Sequence, residues 1–303
     1  MRYIWAAIAA ILIFPILIIR KKKQEVVINR EDLFNRNANQ NELRIRYLYL
    51  EDKKKSGDAI VIQSPDGYTM LLDSGKVSTG GQVDQYLETL GIDTLDLAVA
   101  THPHHDHIGG FHTILQTKKI KKIYRANIPH NTPVLDVFND LIEKEDIETV
   151  YLEDGDTFKL GAHLRFDVLN PPKGTGPEKY PEQLSTADIN NLAIVLKMTY
   201  KNKTFLFTSD LYEKGEADLL ERHRDDLKAD FYDAPHHGAI TSSTTELIEA
   251  IDGDVIVLNA NVLQSRKILE KYRGYSEDVF AASQHGNILV TSNGDDIKIY
   301  TEK

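Results

Sequence analysis

Ten consecutive residues carry most of the chemical information in this chain: Thr101-His102-Pro103-His104-His105-Asp106-His107-Ile108-Gly109-Gly110. Four of the eleven histidines fall within six positions, in the order His-x-His-x-Asp-His. Imidazole nitrogens and carboxylate oxygens are ligands for zinc, iron and manganese. Side chains alternate faces along an extended backbone, so His102 and His104 point the same way. A turn after them brings Asp106 and His107 round to face a second point. Gly109-Gly110 predicts a sharp turn with close backbone approach. The chain has no cysteine, which excludes a disulfide framework, a thiolate metal site and a cysteine nucleophile.

Holding such ligands in place requires rigid elements, and the neighbouring sequence supplies them. Leu95–Ala100 is a short, largely apolar run that reads as a buried strand ending at the histidines. Three further segments set acids or histidines directly after an apolar run: Met70-Leu71-Leu72 before Asp73-Ser74-Gly75, Thr204–Phe207 before Thr208-Ser209-Asp210, and Phe231–Ala234 before Pro235-His236-His237-Gly238. Ligands at strand ends inherit the rigidity of a sheet. Elsewhere, alternation predicts a half-buried strand over 43–50, and Pro65-Asp66-Gly67 predicts a hairpin between 59–63 and 68–72. Helices are predicted over 82–90, 133–144, 213–222, 244–251 and 265–272, and strands over 164–169, 192–199, 255–258, 288–291 and 297–300. Strand runs mixed with helices imply sheets covered by helices in one domain, 43–303.

The amino terminus is different in kind. Tyr3 to Ile19 holds 17 residues without a charge, followed by Arg20-Lys21-Lys22-Lys23. As a helix it would span roughly 26 Å, just short of a ~30 Å hydrocarbon core. Most of the charge follows the apolar run, whereas a signal peptide carries it in front. Residues 1–23 are therefore expected to be a membrane anchor, with a cleaved signal peptide and a buried core helix as the rival readings. By the positive-inside rule the domain that follows is expected in the cytoplasm. Residues 24–42, rich in asparagine, read as a polar linker. Residues 1–30 carry a net +5, which leaves −15 on the remainder of a chain of net −10. So acidic a domain excludes a broad surface for duplex nucleic acid and favours a small or single-stranded anionic partner. The run Lys53-Lys54-Lys55 reads as a solvated face or a local basic strip.

The ordered set Gly57-Asp58-Ala59, Leu72-Asp73-Ser74-Gly75, His-x-His-x-Asp-His, Asn190-Asn191, Thr208-Ser209-Asp210 and Pro235-His236-His237-Gly238 resembles the metallo-β-lactamase superfamily. More narrowly, it resembles the branch containing the hydrolase domain of the DNA-uptake channel ComEC, over about residues 43–301. The resemblance implies an αββα four-layer sandwich, preceded here by the N-terminal transmembrane helix, with two metal ions at one edge of the sheets. It implies His102 and His104 on the first metal, Asp106 and His107 on the second, Asp210 bridging both and His236 closing the second site. Asp73 would fix a ligand histidine through a hydrogen bond. His237 is the alternative ligand, or a group facing substrate; His285, before Gly286-Asn287, reads as a loop histidine, with a place near substrate as the alternative. The wider superfamily usually has a histidine where Asn190-Asn191 stand, so a weaker ligand or water is expected there, although the ComEC-like branch often carries asparagine. Glu51–Ser56 replaces the branch's Asp-x-Gly-Gln, which leaves substrate identity open. His105 reads as a neighbour of the site, and His112, His130, His163 and His223 as ordinary surface residues.

Two divalent ions, zinc or alternatively manganese, would turn a shared water into hydroxide near neutral pH. The expected activity is metal-dependent hydrolysis of a phosphodiester, with Asp106 and Asp210 as the catalytic carboxylates and Asp106 orienting the nucleophile or moving a proton. A lactam, lactone or thioester is the alternative substrate. A non-catalytic metal-binding sensor module is the alternative class.

Overall fold

A computed structural model describes residues 25–55, 57–180 and 184–303. Two large sheets stack face to face. The first has nine strands in the order Glu25–Val27, Ile297–Thr301, Ile288–Ser292, Leu43–Tyr47, Ile60–Gln63, Thr69–Leu72, Leu97–Ala100, Lys122–Arg125 and Glu148–Tyr151. The second has seven: Thr157–Leu160, Leu164–Asn170, Val195–Tyr200, Lys203–Phe207, Phe231–Asp233, Val255–Leu258 and Asp278–Ala281. Between them lies an apolar core that includes Ile45, Ile62, Met70 and Val99 from the first sheet and Phe166, Met198, Phe205 and Val257 from the second. Each such side chain stabilises the fold by about 1.5–3 kcal/mol on burial.

Helices cover both outer faces, giving four layers. Leu71 and Ala98 of the first sheet pack under Val83, Phe111, Ile114 and Phe138. Leu206 and Ile256 of the second pack under Leu219, Leu247 and Ile268. Pro133–Lys144 shows why these segments are helical: Thr132 caps the Leu135 amide at 3.4 Å, Pro133 opens the first turn, and Leu135, Phe138 and Ile142 form one buried stripe.

Each sheet contains a parallel set, and parallel strands align their carboxyl ends. Thr69–Leu72, Leu97–Ala100, Lys122–Arg125 and Glu148–Tyr151 run together in the first sheet. Lys203–Phe207, Phe231–Asp233, Val255–Leu258 and Asp278–Ala281 do so in the second. The two sheets meet near these ends, where Ile194 donates its amide to Thr101 O at 3.0 Å and Ser209 Oγ reaches Thr101 Oγ1 at 2.9 Å. Loops at carboxyl ends of parallel strands are where α/β folds build sites.

Two expectations change for one reason. The segment 24–42 reads as a polar linker, yet Glu25–Val27 pairs in parallel with Ile299–Thr301, and Leu33 and Phe34 are buried among the outer core residues. Folding back this way covers the strand Leu43–Tyr47 on its second face, so it is buried throughout and not half-buried. Arg46 is enclosed there, donating to Leu33 O at 3.1 Å and to Gln63 Oε1 at 2.7 Å. The predicted transmembrane segment, Tyr3–Ile19, lies outside the described residues. Among the described residues no helix is long and apolar enough to cross a membrane.

Candidate metal centre

The His-x-His-x-Asp-His run leaves the strand Leu97–Ala100 and enters a one-turn helix, His105–Ile108, with His104 as its extended N-cap. Gly109 and Gly110 make no sharp turn, because both are helical in backbone. They permit close packing instead: a Cβ on Gly110 would lie 1.9 Å from Ser74 O. That contact presses the motif against the Asp73-Ser74-Gly75 segment, where Ser74 N and Oγ both donate to His107 O at 2.8 and 2.9 Å.

The second half of the site rests on left-handed backbone. Ser209 (φ 50°) precedes Asp210, and His236 (φ 48°) and His237 (φ 57°) are left-handed in succession; in the first half Asp73 (φ 56°) is too. Such conformations are unfavourable for residues with a Cβ and persist only where surrounding contacts fix them. Here they cluster at the strand ends that bear the candidate ligands. Ser209 holds a backbone angle that glycine adopts without strain.

His102, His107, Asp210, Asp106, Asp58 and His237 form three overlapping groups, each with ligand atoms within 4.8 Å of one another. Asp210 lies at the centre: His107 Nε2 is 3.2 Å from its Oδ2 and His237 Nε2 is 3.2 Å from its Oδ1. The far nitrogens of both rings are committed. His107 Nδ1 meets Asp73 Oδ2 at 2.7 Å, and Asp73 also accepts from Thr101 N and Oγ1 at 2.8 and 2.7 Å. His237 Nδ1 meets Asn259 O and Asp58 Oδ1, both at 2.7 Å. With Nδ1 donating, a neutral ring turns the Nε2 lone pair toward the Asp210 carboxylate. Lone pairs facing a carboxylate repel unless a cation lies among them. The Nε2 atoms of His102, His107 and His237 and Asp210 Oδ1 are all buried without a hydrogen-bond partner. A divalent cation fits that donor set.

The protonation pattern has the same origin. Burial opposes a charged His107, but Asp210 and Asp73 outweigh it and raise its pKa. Burial also opposes charge on His237, yet Asp210 and Asp58 lift it to about 9. Burial works against the Asp106 carboxylate, while His107 and Lys55 hold it at about 2. Burial lowers the pKa of His102, with His107 and His104 adding to the effect. His107 and His237 thus draw protons toward Asp210, whose charge a metal ion would satisfy in their place.

The remaining candidates divide. His104 joins none of the compact groups, but its ring stands 4.7 Å edge-on from that of His102. His236 Nε2 is 3.8 Å from Asp210 Oδ2, its Nδ1 is 2.6 Å from Thr241 Oγ1, and its ring packs on Tyr212 at 4.7 Å. His237 is the more enclosed of the pair, and geometry favours it over His236 as the ligand. Asn190 is buried with Oδ1 unpartnered. Asn191 instead holds the adjoining helix, accepting from Gly215 N at 2.9 Å. His285 contacts Ala281 through Nδ1, packs on Phe280 and belongs to none of the metal-capable groups. His105 is exposed.

Several neighbours of the site were not marked by spacing. Asp58 is one, signalled only as part of Gly57-Asp58-Ala59. Lys55 is another: its ammonium lies 3.7 Å from both Asp106 Oδ2 and Asp210 Oδ2, although the lysine run reads as a solvated face. His130 stands 5.9 Å from the His104 ring, and His112 and His223 are partly buried and bonded to Val134 O and Asp154, so these three are not ordinary surface residues.

Residues 53–258 match the family model for the metallo-beta-lactamase superfamily. The chain belongs to the metallo-beta-lactamase superfamily. Its relatives include ComE operon protein 3 of Bacillus subtilis, 25% identical over 208 residues that cover 67% of this chain and 25% of the relative. The Escherichia coli protein YcaI is 26% identical over 235 residues, covering 75% of this chain and 27% of YcaI. The chain thus spans about a quarter of the length of these superfamily relatives. Among solved structures, the metallo-beta-lactamase fold protein YhfI of Bacillus subtilis aligns with a TM-score of 0.52 at 13% identity, covering 79% of this chain and 95% of that one. The CmlA beta-hydroxylase aligns with a TM-score of 0.51 at 11% identity, covering 82% and 53%. At these identities the superfamily likeness is one of fold.

Proposed function

We propose that this chain is a metal-dependent hydrolase that cleaves a phosphodiester of small-molecule or single-stranded type. The observation that carries the reading is the convergence of three unpartnered, buried imidazole nitrogens on Asp210. His102 and His104 would hold one divalent ion, and Asp106, His107 and His237 a second, with Asp210 shared between them and Asn190 near the first. When bound, such ions supply Lewis acidity and make a water nucleophilic near neutral pH, with zinc the best match to a histidine-rich set.

This chain's own residues set the geometry. Asp73 and Asn259 fix the rings of His107 and His237 through Nδ1, so neither ring needs to reorient on binding. Asp106, whose carboxylate stays ionised throughout the neutral range, is the group placed to orient a nucleophile. His236 stays at the rim, where burial, only partly offset by Asp210, lowers its pKa to about 4 and keeps its ring neutral. The phosphodiester assignment is supported by the resemblance of the site motifs to the ComEC-like hydrolase branch, and the acidic domain disfavours long duplexes. Residues 3–19 would tether the domain to a membrane, on its cytoplasmic side.

The purified full chain, loaded with zinc or manganese, should hydrolyse bis(p-nitrophenyl) phosphate in preference to p-nitrophenyl phosphate or a lactam. Asp210→Ala should lower that turnover by at least a thousandfold. Equal turnover by the variant, or preference for the lactam, would contradict the proposal.

A further inference from the structure

The segment Glu51–Lys55 is built against the candidate metal centre from both halves of the sandwich. Asn261 Nδ2 donates to the carbonyls of Asp52 and Lys54, each at 2.9 Å. Asp52 accepts from Lys54 N and from Ser78 Oγ, both at 3.1 Å. Gly57 (φ 80°) closes the loop on Asp106 so tightly that a Cβ there would lie 1.7 Å from Asp106 O. These contacts deliver Lys55 into the site with its side chain 24% exposed.

At 3.7 Å from Asp106 Oδ2 and from Asp210 Oδ2, the ammonium is held by charge and not by direct hydrogen bonds to those oxygens. Its N–H donors are therefore not consumed by the two carboxylates. When those carboxylates are engaged by divalent ions, the loop contacts still hold the Lys55 backbone beside the site, and its ammonium has donors to offer an incoming anion.

We propose that Lys55 is a specificity-determining residue whose ammonium grips an anionic non-bridging oxygen of the substrate's phosphoryl group. The assignment rests on the metal-dependent reading above. A lysine acts here as a compact point charge for a phosphate oxygen. A neutral carbonyl substrate offers no such oxygen in its ground state, so Lys55 would bias the site toward phosphodiesters.

Lys55→Met and Lys55→Arg, made in the full chain, test this by three readouts. Metal content per chain should match the parent in both variants. Calorimetric binding of inorganic phosphate to the metal-loaded protein should weaken about tenfold or more in Lys55→Met, and Lys55→Arg should restore most of it. KM for bis(p-nitrophenyl) phosphate should rise by a similar factor in Lys55→Met. Loss of metal from Lys55→Met would overturn the assignment by showing that the ammonium merely holds the ligand carboxylates together. Unchanged phosphate binding, or no phosphate binding by the parent, would overturn it as well. Phosphate binding that depends on Lys55 in a protein without phosphodiester turnover would support the assignment and sink the phosphodiesterase reading.

Discussion

The two halves of the sandwich deliver their metal-capable residues in opposite ways. The first packs His102, His104, Asp106 and His107 into six positions around a one-turn helix, braced by glycines that let backbone touch backbone. The second delivers Asp210 and the His236-His237 pair from separate strand ends, each on or beside left-handed backbone. The first half buys precision by close packing, and the second depends on conformations its residues disfavour. Residue spacing announces the former, while only the folded backbone decides which second-half side chain turns inward.

The largest effect should come from filling space in the first half. Gly110→Ala sets a methyl 1.9 Å from Ser74 O, which a backbone atom cannot yield without moving the motif. A loss of about 3 kcal/mol or more is expected in denaturant unfolding. A loss under about 1 kcal/mol would mean that the braced half is not braced.

A second effect separates the buried acids of the halves. Asp73 has His107 as its partner, whereas Asp233 is served by Thr208 N and Oγ1 at 2.7 and 3.0 Å and faces Asp58. Burial, aided by Asp58, lifts the Asp233 pKa from 3.8 to about 7. A raised carboxyl pKa favours the folded state while the group is protonated. That contribution is full below about pH 4 and is lost as pH rises through about 7. In chelator, the parent's Tm should fall across this window relative to Asp233→Asn. Parallel curves would show that Asp233 ionises as freely folded as unfolded.

The smallest effect is expected at Ser209. Ser209→Gly relieves a φ of 50° and removes the 2.9 Å contact to Thr101 Oγ1. Strain relief of about 1 kcal/mol and a hydrogen bond of similar worth nearly cancel. Unfolding should therefore shift by less than about 1 kcal/mol, and a larger loss would make that hydroxyl an essential clasp between the halves.

Much of the fold was legible because its periodicities are local. The Pro133–Lys144 helix and the hairpin at Pro65-Asp66-Gly67 follow from caps, turn residues and apolar spacing. The docking of Leu33 and Phe34 was not legible, since two apolar residues in an asparagine-rich stretch give no period to read. In the site, the compact motif and Asp210 stood out as metal-capable groups after apolar runs. The choice between His236 and His237 did not, because adjacent residues differ only in backbone angles that sequence does not display. Lys55 was hidden for a related reason: a lysine run looks solvated until Asn261, more than two hundred positions away, ties the loop down.

The most direct test counts bound metal in the parent, His237→Ala and His236→Ala after dialysis, by elemental analysis. Two divalent ions in the parent and in His236→Ala, with about one in His237→Ala, are the predicted result. A parent that binds none, or a loss confined to His236→Ala, would contradict a centre closed across the two halves by His237.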